Sequence, residues 1–196
     1  MMTVLDPPIT EDTSEQRILL EGVPWERFEQ FSACFVDTRS LRLTYIDGSL
    51  EMMSPVGEQH ETYKRNISYL LGTYLDRKEI RFYGRGSFTL KMPQRAAGEP
   101  DESYCIGSDK ALPDLVIEVV VTEDALSKLP LYQALSIPEV WIWRRDELEV
   151  HVLEQAGYQR SPASRLLPHV DLGLLAAHAR MPDQYDAVRA VRRSIE

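Results

Sequence analysis

Glu118 stands in the middle of the most apolar run of the chain, PDLVIEVVV from Pro113 to Val121. A continuous Val/Ile/Leu run opened by Pro-Asp reads as a central strand covered on both faces, which puts a carboxylate where water is scarce. An ionised carboxylate taken out of water needs a cation, a metal or a set of donors in place of its hydration. The demand is met either by an internal ion pair with an Arg or Lys, or by a metal ion. A metal requires a second acidic ligand. Asp114 shares the face of Glu118 by period two but lies about 13 Å away at ~3.3 Å per residue, too far to share an ion held at ~2 Å. Asp101, at the start of the short strand in EPDESYCIG, is the best-placed supplier, provided that this strand neighbours the other. Otherwise an Asp after a Pro is a turn residue.

Two further groups are candidates. In TEDALSKLPLYQALSI, Pro130 is tolerated only in a first helical turn, so a helix is expected to begin near Ser127, with Ser127 as its cap. Lys128 then faces back toward the strand end that bears Glu118, although a Lys is more often simply exposed. His60 and Glu61 fall in the first turn of a helix expected over Glu58 to about Arg77, where Tyr63, Ile67, Leu70, Leu71, Tyr74 and Leu75 trace one apolar stripe. A helix amino terminus offers unpaired N–H groups and a partial positive charge, suited to a phosphate or a metal-bound anion. The alternative for His60 is an ordinary surface or capping residue.

The remaining segments supply the frame. Residues 1–20, with Pro7-Pro8 and an acidic cluster, are expected to form a flexible arm, and 21–196 a single domain. PWERFEQFSACF is a short amphipathic helix started by Pro24. Asp47-Gly48 between two alternating runs predicts a hairpin with strands over 41–46 and 49–53. Strands are expected over 80–83 and 87–92, then a Pro/Gly-rich loop before EPDESYCIG. PEVWIWRRDELEVHVLE predicts two strands around Arg145-Asp146 with Trp141 and Trp143 on one face, before a Gly157 turn, a short strand and one or two closing helices.

A chain of 196 residues suits one domain with a sizeable core. The two cysteines, Cys34 and Cys105, lie far apart without metal-type spacing, which points to reduced thiols and a cytoplasmic protein. The amino terminus lacks the basic start and apolar core of a secretory signal, and no run is long enough to span a membrane. Net charge is −9, which excludes an obvious sequence-independent nucleic-acid binder. Yet between Lys64 and Arg95 eight basic residues stand against two acidic ones, a local +6 that suits either a phosphate backbone or an ordinary solvated face.

Four stretches in order, YIDGSLEMMSPVGEQHE, EPDESYCIG, LPDLVIEVV and SKLPLYQALSIPEVWIWR, resemble the Uma-two family of restriction endonucleases, a branch of the PD-(D/E)xK nuclease superfamily. The resemblance spans roughly Pro24 to Leu175. It implies an α/β fold of restriction-endonuclease type, a central mixed sheet flanked by helices. Pro100-Asp101 would match the Pro-Asp of that superfamily, Glu118 its second acidic residue, and Lys128 a lysine relocated to the following helix. His60, with Glu61 beside it, would match the acidic or His position that the first core helix brings to the metal. One position departs from the pattern: Val120 stands where Lys is usual.

The implied activity is Mg²⁺-dependent hydrolysis of DNA phosphodiester bonds, with Mn²⁺ as a substitute. Asp101, Glu118 and His60 would serve the metal, and Lys128 would serve the water or the transition state. A homodimer is expected, because cutting both strands needs two sites related by the two-fold of the duplex. The rival expectation is an inactive nuclease-like fold serving as a nucleic-acid or protein-binding module. A third is a metal hydrolase for a small phosphorylated molecule, which needs a closed pocket.

Overall fold

The computed structural model describes residues 16–35, 41–54, 57–121 and 128–195. In chain order the first half forms β1 (Arg17–Leu20), α1 (Trp25–Cys34), β2 (Arg42–Ile46), β3 (Ser49–Met53), α2 (Glu58–Arg77), β4 (Phe82–Gly84), β5 (Leu90–Met92) and β6 (Ala96–Gly98). The second half forms β7 (Glu102–Ile106), β8 (Leu115–Val120), α3 (Leu129–Ala134), β9 (Glu139–Arg144), β10 (Glu147–Glu154), β11 (Gly157–Ser161), α4 (Leu172–Ala179) and α5 (Gln184–Ser194). These strands make two sheets. The smaller has the order β1-β3-β2-β6-β5, and the larger β11-β10-β9-β8-β7-β4. The larger is mixed: β8 and β9 run parallel and its other pairings are antiparallel. A parallel pair needs a crossover, and the chain between β8 and β9 carries α3. This α/β arrangement is compatible with the expected restriction-endonuclease-like core.

Alternation along β8 and β9 sorts the core into two layers. Ile117, Val119, Trp141 and Trp143 face α2, whose Ile67, Leu70, Leu71 and Leu75 complete the layer together with side chains of α4 and α5. On the opposite face Val116, Val140 and Ile142 meet Leu131 and Tyr132 of α3 and Leu90 of the smaller sheet. Burying each such side chain stabilises the fold by about 1.5–3 kcal/mol, which explains why β8 tolerates no polar residue except Glu118. A third cluster packs Trp25 and Phe28 of α1 on Tyr45 and Leu50.

The hairpin forms as expected, with Asp47 at φ 45° and Gly48 at φ 98°, the paired positive values of a two-residue turn that matches strand twist. Arg145 and Asp146, at φ 50° and 65°, repeat the device between β9 and β10. Both helices α1 and α2 fall where apolar spacing put them.

Three expectations need correction. Arg17–Leu20, expected to lie in a flexible arm over 1–20, pairs antiparallel with β3. The apolar Ile18-Leu19-Leu20 was masked by the acidic, Pro-containing composition before it, and residues 1–15 lie outside the described residues. Helix α3 starts at Leu129, with Lys128 in the capping position and Pro130 in the first turn; Ser127, the expected cap, lies outside the described residues. Finally, the stretch read as a loop contains β6, and the strands expected over 80–83 and 87–92 shrink to β4 and β5. Ala96-Ala97-Gly98 has none of the branched or aromatic residues that mark strands, because α3 lies directly against it. A Cβ on Gly98 would come 2.6 Å from Leu131 Cδ2 and 3.6 Å from Thr44.

Because Leu131 is itself fully buried, Gly98→Val should destabilise the protein by about 1–3 kcal/mol. Urea unfolding will show a lowered midpoint at unchanged slope.

Candidate active site

Strands β7 and β8 pair with Glu102 opposite Ile117 and Ser103 opposite Val116. One step beyond, the same register sets Asp101 opposite Glu118. The neighbouring-strand condition for Asp101 is therefore met, and both carboxylates lie against the α3 side of the sheet. Both are also buried, Asp101 at 1% and Glu118 at 6% exposure.

Neither carboxylate is left without partners. Asp101 Oδ1 accepts from Arg42 Nη1 at 2.5 Å, and its Oδ2 accepts from His60 Nε2 at 3.0 Å and from the Val119 backbone N–H at 2.8 Å. Glu118 accepts from Lys128 Nζ at 3.0 and 3.3 Å and from the Tyr132 hydroxyl. Lys128 also donates to the Glu99 carbonyl at 3.1 Å. Five elements thus converge: β2 brings Arg42, α2 brings His60, the start of β7 and the middle of β8 hold the acids, and α3 with its capping residue brings Tyr132 and Lys128 one turn apart.

The electrostatics of the two acids differ. Burial favours the neutral form of Asp101, but the hydrogen bond from His60 and the charges of Lys128 and Arg42 outweigh it and hold the carboxyl far below the usual range. For Glu118 burial wins. Aided by repulsion from Asp101, it pushes the carboxyl up to about 7 against the pull of Lys128 and Tyr132. Burial alone would lower Lys128, yet Glu118 and Asp101 raise it, so the ammonium persists at neutral pH. Arg42 is likewise held up, since Asp101 overcomes its burial. Tyr132 is pushed well up by burial and by Glu118, and stays a hydroxyl donor.

All four expected residues, Asp101, Glu118, Lys128 and His60, come together here. His60 uses Nε2 on Asp101, while its buried Nδ1 has no hydrogen-bond partner and stands 3.9 Å from Glu61. Asp114 is elsewhere, as the spacing required: it pairs with Lys110 at 2.6 Å and accepts from the Ile106 N–H. Arg42 and Tyr132 were not foreseen. Tyr132 had a legible signal, being four residues after Lys128 on one helix face. Arg42 had none, because only the packing of the smaller sheet brings it to Asp101.

Among the described residues no group of three or more His, Cys, Asp or Glu side chains is placed to hold a metal ion. Two acids nevertheless suit a small hard cation that keeps several waters. Each carboxylate accepts three hydrogen bonds of roughly four possible, leaving acceptor capacity on both. The basic stretch from Lys64 to Arg95, by contrast, is largely neutralised: Lys64 pairs with Glu61, Lys91 with Glu29, Arg95 with Asp47 and Arg85 with Asp109. Cys34 and Cys105 are both free thiols, and no helix is long and apolar enough to cross a membrane among the described residues.

The raised carboxyl makes a signed prediction. Between the unfolded value near 4.5 and the folded value of about 7, the native state holds a proton that the unfolded chain releases, so stability contributed by Glu118 is lost as pH rises through that window. Relative to Glu118→Gln, the metal-free wild type should lose on the order of 2–3 kcal/mol between pH 5 and pH 8. Paired urea titrations measure the difference, and a flat one contradicts the assignment.

Comparison with curated proteins finds no match. The Uma2 family, described as "Putative restriction endonuclease", matches residues 25–177. That interval contains every residue of the carboxylate cluster and both sheets except β1, so the chain belongs to the Uma2 family.

Proposed function

We propose that the chain is a metal-dependent endonuclease that hydrolyses phosphodiester bonds of DNA, acting in the cytoplasm as a homodimer. The observation that carries this reading is the cross-strand pair of buried acids with the ammonium of Lys128 on Glu118 at 3.0 Å. Asp101 and Glu118 would hold Mg²⁺ or Mn²⁺, which when bound supplies Lewis acidity toward the phosphodiester.

The chain's own groups then divide the work. Lys128 remains charged at neutral pH, so it donates hydrogen bonds and positive charge to the phosphate oxygens as their charge grows, or orients the attacking water, and does not act as a base. Arg42, permanently charged, joins the His60 hydrogen bond and the Lys128 charge in keeping Asp101 ionised. His60 orients Asp101 from the start of α2 and would help Asp101 and Glu118 to hold the cation. Tyr132 fixes the rotamer of Glu118 from the same helix that presents Lys128. Val120 in place of the usual lysine is compatible with this arrangement, because α3 delivers the amine instead.

A cavity of about 640 Å³, with Arg42, Glu61, Lys64, Thr89 and Glu99 in its wall, borders the cluster at Arg42, the partner of Asp101. Two copies of the chain would place two such sites on the two strands of a duplex.

A second reading has its own support. Arg42 and Lys128 already balance the two acids, as they would in an inactive fold kept as a nucleic-acid or protein-binding module. Supercoiled plasmid separates the readings. Wild type with Mg²⁺ or Mn²⁺ should nick or linearise it, chelation should abolish the reaction, and Asp101→Ala, Glu118→Ala and Lys128→Ala should each lower the rate at least ~100-fold. Absence of cleavage by the wild type across supercoiled, linear and single-stranded DNA would leave the binding module.

A further inference from the structure

A second cavity, of about 250 Å³, opens at the carboxyl ends of β8 and β9, and Gln59, Tyr63, Val120, Trp143, Arg144 and Asp146 are among its lining residues. Arg144 is half-buried, and its Nε is closed off from solvent without a hydrogen-bond partner. Among the described residues no carboxylate pairs with its guanidinium. The acid in the same wall, Asp146, faces Arg180 at 3.8 Å. A guanidinium is always charged and presents a planar fork of donors matched to phosphate, so one held without an acid at a cavity wall calls for an external anion. The rest of the lining narrows the choice. Tyr63 and Trp143, with ring centroids 5.1 Å apart, give an aromatic wall, and the Gln59 amide bonds the Tyr63 hydroxyl at 3.3 Å. Arg144, with Arg145 beside it, against an aromatic wall and with Asp146 turned to Arg180, suits a phosphodiester with its attached sugar.

Register ties Arg144 to the acids, whereas Tyr63 and Trp143 lie toward the α2 side of the sheet. In the parallel register Glu118 stands opposite Ile142 and Val120 opposite Arg144, so Arg144 shares the sheet face of Glu118. It lies two residues further along, about 7 Å, and one strand across, ~4.8 Å.

We propose that Arg144 binds a DNA phosphate near the scissile one and so sets the register of the strand on Asp101 and Glu118. The assignment rests on the nuclease reading and adds to it the residue that positions the substrate. Arg144 touches the substrate backbone away from the reacting atoms, so its loss weakens binding of all sequences alike.

The test is fluorescence anisotropy of a labelled duplex across a salt series, with Ca²⁺ in place of Mg²⁺. Arg144→Gln should weaken binding about tenfold and reduce the salt slope by ~0.9, the signature of one lost phosphate contact. Arg193→Gln, on the exposed face of α5, should change neither quantity. If Arg144→Gln does not fold, Arg144→Lys carries the test: the charge keeps the slope, while loss of the planar fork weakens binding severalfold. Affinity and slope equal to wild type in the folded variant would overturn the assignment and leave the nuclease reading standing. A wild type that binds no duplex at any salt would overturn both.

Discussion

Two like charges buried side by side on adjacent strands are the constraint around which this molecule is arranged. Separately each carboxylate would be costly in so dry a place, and together they repel. Stability therefore depends on cations delivered from outside the two strands: Arg42 for Asp101 and Lys128 for Glu118. Removing one partner of such a buried pair leaves an uncompensated charge, a loss of about 3–5 kcal/mol in comparable cases. Glu139 in the same sheet shows a different solution. It is equally buried but accepts only from Trp141, Ser164 and the backbone N–H groups of Arg165 and Leu166. Neutral donors suffice for Glu139, so burial alone does not require the cationic shell around Asp101 and Glu118.

That shell accounts for features of the fold which otherwise have no common cause. The parallel pairing of β8 with β9 obliges the chain to cross over, and the crossover carries α3, with Lys128 and Tyr132 one turn apart. Gly98 lacks a side chain where α3 presses on the smaller sheet, and that contact lets β2 bring Arg42 within reach of Asp101. The amino end of α2 holds His60 at the same acid. The opposite face of the larger sheet is filled by tryptophans, leucines and helices, and among the described residues it has no comparable cluster.

How much of this was legible depended on the length scale of each relation. Asp101 and Glu118 could be paired from the sequence because strand period and register are short-range rules, and the same arithmetic set Asp114 aside. Lys128 followed from the tolerance of a first helical turn for Pro130, and His60 from the apolar stripe of α2. Arg42 depends instead on packing of one sheet against another, which leaves no mark on local pattern. Likewise β6 escaped notice because its small residues record a close neighbour and not a strand preference. For the basic stretch composition left a phosphate backbone and a solvated face equally open, because it counts charges, whereas the folded chain brings Glu29, Asp47 and Asp109 to them from distant segments.

The central claim is that the paired acids form one cation site despite the arginine and lysine already there. Titration of Mn²⁺ into the protein, followed by electron paramagnetic resonance, measures this without requiring turnover. One ion should bind per chain, binding should be lost in Asp101→Ala and in Glu118→Gln, and it should persist in Asp114→Ala. No bound Mn²⁺, or a site indifferent to Asp101 and Glu118, would contradict the account.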